Sequence, residues 1–250
     1  MNHTFHFNQA RYWLSLSKAL TLYKIEPMPA ETLIKPRLGE GIYSVPEAAK
    51  ILNLPLYKVR RLLKVYWNER FGKRKDLYSW GEGGATAFNF LTLIEFYVFY
   101  QLKDAGVKTK EILAAHERLS AKLKTNFPFA STTLLTDGGK ILFETEGGDI
   151  VNIDPIFQYN LREVIQPFCK KIEFNGQHIA KRFYPLGREK NIVVDPHHQF
   201  GQPTIVGTNI LPTTIFSYYK GGEPVDFISN IFEISKQQVS DALEYCKMAA

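Results

Sequence analysis

Residues 43–75, YSVPEAAKILNLPLYKVRRLLKVYWNERFGKRK, decide how the rest of the chain is read. Ser44 and Glu47 stand at the S-x-x-E spacing of a capping box, in which each side chain satisfies a backbone N–H left unpaired at a helix start. Val45, Ala48, Ala49 and Leu52 then recur at helical spacing and are expected to face inward. Asn53-Leu54-Pro55 ends this helix and starts another, since proline is tolerated at a helix start but not inside one. In the second helix the spacing predicts a buried stripe of Val59, Leu62, Leu63 and Tyr66. Tyr57, Lys58, Arg60, Arg61 and Lys64 are left outward. Between Lys50 and Lys75 there are nine Lys or Arg against one acid, Glu69. A compact helix pair whose second member is this basic can enter a DNA major groove. A basic run without such a frame would usually be a solvated face.

Charge along the 250 residues is uneven. Residues 1–125 hold 20 Lys/Arg and 11 Asp/Glu, whereas residues 126–250 hold 11 and 14, so the overall +6 comes from the N-terminal half. One part is thus fitted to a polyanion and the other to a different partner. Cys169 and Cys246 are the only cysteines and lack the spacing of a disulfide framework or zinc cage, which points to a reducing cytoplasm. The apolar run 88–100 is interrupted by Asn89, Thr92 and Glu95 and is too short to span a bilayer, and the N-terminus shows no signal peptide. No membrane contact is expected.

Beyond the helix pair, an N-terminal extension (1–40) contains a possible helix over 8–24 and a proline-rich connector. After the basic Lys73, Arg74 and Lys75, two short extended runs around Gly81, Gly83 and Gly84 predict a hairpin placed as a wing. A long apolar helix is expected over 91–103, and another opens at Thr109 and runs to about residue 124. Residues 127–187, with Asp-Gly and Gly-Gly turns between short apolar runs, read as a small β-rich middle domain. Residues 188–250 begin with β-branched runs around proline and glycine turns. Three helices follow, over about 213–219, 224–232 and 236–247, the last capped by Ser235. The expected fold is α+β, mainly helical: a winged helix-turn-helix domain (41–126), the middle domain, and a C-terminal β-turn plus three-helix, helix-turn-helix-like domain.

YSVPEAAKILNL, the basic LYKVRRLLK, the glycine hairpin and the later GVKTKEI resemble, in order, the MerR-type winged helix-turn-helix over about 43–123. The hairpin YSWGEGGATAF is richer in tryptophan and glycine than the polar wing usual in that family. Val194-Asp195-Pro196, Phe200-Gly201-Gln202-Pro203 and Ile205 to Ile210 are similar to the domain-of-unknown-function family numbered 433, where Asn209 stands at a position commonly Arg. Together the two regions resemble the larger VapB-type antitoxins. That resemblance implies a PIN-like ribonuclease toxin as partner, and the favoured expectation is a DNA-binding antitoxin that autorepresses its operon and neutralises that toxin.

The candidate DNA-binding residues are Tyr57, Lys58, Arg60, Arg61, Lys64, Lys73, Arg74 and Lys75. Arg60 and Arg61 suit base edges or nearby phosphates, because Arg pairs bidentately with guanine, while the lysines suit phosphate. Asp195, His197 and His198 read as a turn with exposed histidines, since no distant ligand motif completes a metal site. Gly201 to Gly207 lacks the Gly-Lys-Ser/Thr ending of a phosphate loop. Thr208 and Ser217 have no evident base. No catalytic residue, metal or cofactor is expected, and the chain reads as a binding protein rather than an enzyme. A near-palindromic operator calls for a homodimer or higher oligomer. The competing expectation is a MerR-like ligand-responsive regulator, without a toxin, that uses the middle domain as sensor.

Overall fold

The structure, a computed structural model, describes residues 39–72, 77–131, 170–176 and 179–249. The helix expected over 8–24, the basic Lys73, Arg74 and Lys75, and the hairpins and helix expected between 132 and 169 lie outside these residues. Among the described residues the fold is α+β and about half helical.

Strand β1 (Tyr43–Ser44) leads directly into helix α1 (Val45–Ile51). The capping box is formed in full: Glu47 N–H donates to Ser44 Oγ at 3.4 Å, and Ser44 N–H donates to Glu47 Oε2 at 2.8 Å. Leu52 to Pro55 turn the chain into α2 (Leu56–Arg61). Asn53 takes a left-handed φ of 51°, and Leu54 N–H donates to Ala49 O at 2.8 Å. Without a break, α2 widens into a π-helical stretch, Leu62–Phe71. The wider i→i+5 turn aligns residues that recur every fourth position, so Leu63, Trp67 and Phe71 face the core together. The expected stripe is therefore right for Val59, Leu62 and Leu63, while Tyr66 is only half-buried and Trp67 takes the central place.

Trp80 and Ala87 exchange backbone hydrogen bonds of 2.9 Å each across the glycine turn, so the hairpin expected there is a single bridge. On its other side β2 (Ala87–Phe88) pairs antiparallel with β1, placing Tyr43 opposite Phe88. Helix α3 (Phe90–Asp104), capped by Asn89, is buried almost all round, as a helix apolar on every face must be. Helix α4 (Thr109–Leu123) closes this region; Thr109 is its first helical residue, and Lys108 precedes it without a side-chain cap. Trp67 lies at the centre of the resulting core, edge-on to Phe96, Phe99 and Phe71 at 5.0, 5.7 and 5.5 Å. Such aromatic pairs add about 0.5–1.5 kcal/mol each beyond the area they bury.

Strands β3 (Ile172–Phe174), β4 (Ala180–Phe183), β5 (Ile192–Val194) and β6 (Pro203–Ile205) form one antiparallel sheet in that order. Phe183 pairs with Val194, so the sheet runs across residue 188. Ile172, Ala180, Phe183 and Val194 join the core around Trp67, and Phe183 packs on Tyr97 of α3 at 4.6 Å. Ile192 and Ile205 instead join a second core with helices α5 (Pro212–Lys220), α6 (Val225–Ile231) and α7 (Lys236–Met248).

The turn from α6 to α7 repeats the turn from α1 to α2. Glu233, like Asn53, is left-handed (φ 53°), and Ile234 N–H donates to Ser229 O at 3.1 Å, the counterpart of Leu54 to Ala49. Helix α7 also opens on a capping box, here Ser235 with Gln238. The two helix pairs thus share one turn, although no repeat is visible in the sequence.

Candidate nucleic-acid interface

The α1–α2 turn fixes which side of α2 meets solvent. With Val59, Leu62 and Leu63 buried, Arg60, Arg61 and Lys64 are exposed and Tyr57 is 66% exposed. Among the described residues none of the three cations has an acidic partner. Cations held on a rigid helix without internal partners are free to exchange counterions for phosphates.

Lys58 differs from its neighbours. It is half-buried, and its ammonium lies over the Tyr100 ring of α3, 5.4 Å from the centroid. Burial, with Tyr57 nearby, pushes the Tyr100 phenol up to about 12, so the ring under Lys58 stays neutral. Lys58 therefore braces α2 against α3 as well as adding positive charge. Arg70 is also committed, since its Nε donates to Glu117 Oε1 of α4 at 2.8 Å. Lys73, Arg74 and Lys75 lie outside the described residues.

Sequence reasoning missed two exposed apolar side chains of the same helical run: Leu56 and Val65 are each 39% exposed. Apolar groups on a groove-facing helix can meet thymine methyls. Their signal was present in the spacing, since both fall outside the buried stripe.

The C-terminal half presents different surfaces. Tyr218, Tyr219, Phe227 and Ile231 are each 42–51% exposed on α5 and α6. Lys236, at the start of α7, is ion-paired with Asp226 at 2.8 Å, and Glu244 is paired with Lys190 at 2.7 Å. Helix α7 thus lacks the row of free cations that α2 carries.

On the sheet, Arg182 Nε donates to Asp195 Oδ2 at 2.7 Å, and His197 N–H donates to Asp195 Oδ1 at 2.9 Å. Burial raises the Asp195 pKa, but the bonds from Arg182 and His197 outweigh it and hold the carboxyl below its ordinary value. His198 Nε2 lies 3.1 Å from Thr208 O. Arg182, Asp195, His198 and Thr208 line an open cleft of about 390 Å³. Among the described residues no cluster of His, Cys, Asp and Glu could hold a metal ion. Cys246 is buried, which pushes its thiol up to about 11 and leaves it unreactive.

Residues 192–246 match a family described as "Protein of unknown function (DUF433)". The chain is 24% identical over 174 residues to a Mycobacterium tuberculosis protein named "Putative antitoxin VapB45", covering 65% of this chain and 72% of that one. It is 25% identical over 232 residues to uncharacterized protein Rv2308 of the same organism, covering 88% and 96%. The crystal structure of Rv2018 from M. tuberculosis has the same overall fold, with a TM-score of 0.62 at 19% identity, covering 80% of this chain and 96% of that one. No helix among the described residues is long and apolar enough to cross a membrane.

Proposed function

We propose that the chain is a DNA-binding antitoxin of a toxin-antitoxin pair, which represses its own operon and neutralises a PIN-like ribonuclease by direct binding. It acts by binding, not by catalysis. The observation that carries this reading is the exposed, unpartnered Arg60, Arg61 and Lys64 row on a helix fixed by a capped partner helix. In this reading α1, α2 and the bridge at Trp80 and Ala87 are a MerR-like winged helix-turn-helix. Helix α2 lies in the major groove, and a dimer places two such helices in successive grooves. The toxin binds the C-terminal region, where α5 and α6 expose Tyr218, Tyr219, Phe227 and Ile231. The VapB45 relative supports the antitoxin role, since its similarity spans most of both chains.

The test has two arms. For DNA, a duplex covering the region upstream of the protein's own reading frame is titrated in rising salt. Arg60→Ala and Arg61→Ala should each cost about 1–3 kcal/mol if they read bases, or chiefly flatten the salt dependence if they contact phosphate. Unchanged affinity and salt slope in the double variant would refute the assignment. For the toxin, the chain is co-expressed with the product of the adjacent gene. Phe227→Ser with Ile231→Ser should abolish co-purification; retained binding would move the site elsewhere. Truncation at residue 188 is a poorer test, because it removes β5, one of the two strand partners of β4.

A further inference from the structure

The 200–203 segment, FGQP, is spent neither on DNA nor on a ligand loop, and its contacts point inward to the start of α1. Ile42 N–H donates to Phe200 O at 2.9 Å. Gln202 Nε2 donates to Glu47 Oε1 at 2.9 Å, a contact between residues 155 apart. The other oxygen of the same carboxylate, Oε2, accepts from Ser44 N–H at 2.8 Å and from Ser44 Oγ at 2.7 Å. One carboxylate therefore closes the capping box of α1 and receives the C-terminal region.

The backbone here is shaped for that approach. Gly201 has φ +86°, and a Cβ on it would overlap the hydroxyl of the fully buried Tyr43. Phe200 holds a left-handed φ of 55° while the residue is 65% exposed. A bulky residue keeps such a backbone only when its surroundings over-determine it, and here the carbonyl, not the ring, makes the contact.

We propose that the FGQP segment is a positioning element for the DNA-reading helices, with Gln202 holding α1 in place through the Glu47 carboxylate of its capping box. The proposal rests on the DNA-binding reading above. When the hold is loosened, α1 and the α2 that follows it sample more orientations. Apparent affinity then falls with the fraction that remains competent.

The pair can be inverted without losing the cap, since Gln238 performs the same capping task at Ser235 that Glu47 performs at Ser44. Gln202→Glu sets two carboxylates against each other, whereas Glu47→Gln with Gln202→Glu restores a donor and an acceptor in exchanged places. Affinity for the upstream duplex and hydrogen exchange of the α1 amides are measured in the full chain, well below its melting temperature. Gln202→Glu should weaken DNA binding about fivefold or more, the lower end of typical site-to-site coupling. It should also speed α1 exchange, and the exchanged pair should return both readouts to within about twofold of the wild type. A general loss of stability would instead lower the melting temperature and speed exchange of the α3 amides as much as that of the α1 amides. Wild-type affinity and exchange in Gln202→Glu, or a double variant as impaired as the single one, overturns the proposal. If the wild type binds no duplex, the DNA-binding reading itself has failed; α1 exchange then still reports whether Gln202 holds the helix.

Discussion

Glu95 sits fully buried on α3, in a helix whose other buried residues are apolar or aromatic apart from Thr92. Its Oε1 accepts from the backbone N–H of Phe129 at 2.8 Å and of Ala130 at 3.1 Å. Its Oε2 lies 2.9 Å from His116 Nε2 of α4, as a close polar contact rather than an aligned hydrogen bond. The His116 ring in turn stacks on Phe71 at 4.1 Å, at the end of the π-helical stretch. One side chain thus ties together α3, α4 and the 129–130 segment. Glu95→Gln keeps an oxygen for the two amides but removes its charge. Hydrogen bonds to charged groups contribute about 1.5–3 kcal/mol net against about 0.5–1.5 for neutral ones, so two bonds lose roughly 1 kcal/mol each. With the weakened His116 contact, the expected cost is about 2–3 kcal/mol. Glu95→Ala abandons both amides and His116 together, and should cost about 3–5 kcal/mol. Urea unfolding, followed by tryptophan fluorescence, measures both; Trp67 lies 5.6 Å from His116 and reports on this core. The midpoint should fall at constant slope, with alanine worse than glutamine. An unmoved midpoint in Glu95→Gln, or equal damage from the two substitutions, would refute this account.

Asp241 offers a pH test. Burial raises its pKa, but bonds from Asn191, Gln237 and Lys190 outweigh it and leave the carboxyl below its ordinary value. Its stabilisation is therefore present above the unfolded pKa, about 4, and is lost as pH falls through the lower folded value. Asp241→Asn should flatten the acid limb of stability below about pH 4, measured as urea midpoints across that range. Glu233 holds a left-handed φ of 53° without being glycine. Glu233→Gly should relieve strain of roughly 1 kcal/mol, partly offset by the entropy of a freer unfolded chain, and thermal melting would show a small rise. Gly201→Ala should cost about 1–3 kcal/mol, through its φ and the overlap with Tyr43, and a wild-type melting temperature would contradict the close approach.

Local signals carried well from sequence to structure. The capping box at Ser44 and the cap at Ser235 placed two helix starts because a cap is a local contact and needs no tertiary knowledge. The exposed Arg60, Arg61 and Lys64 followed from the same periodicity. The stripe then slipped from Tyr66 to Trp67 because a π-helix changes the turn, which the 3.6-residue pattern cannot register. Lys58 read as a plain outward cation because its partner, Tyr100, lies on another helix. Glu95 appeared only as an interruption of an apolar run, since its amides at Phe129 and Ala130 are supplied by distant backbone. The Gln202–Glu47 contact was illegible for the same reason.

The shared turn at Asn53 and Glu233 bears on how such a chain could change its role over time. The backbone of the turn is alike in the two helix pairs; the exposed side chains of α2 and α7 differ. Gln237, Ser240 and Glu244 are exposed on α7, as Arg60, Arg61 and Lys64 are on α2. A few substitutions to cations there would put a second basic helix on a scaffold that already forms the turn. If α2 reads DNA and the C-terminal region binds a protein, as proposed above, a short mutational path separates the two roles, one that needs no new fold.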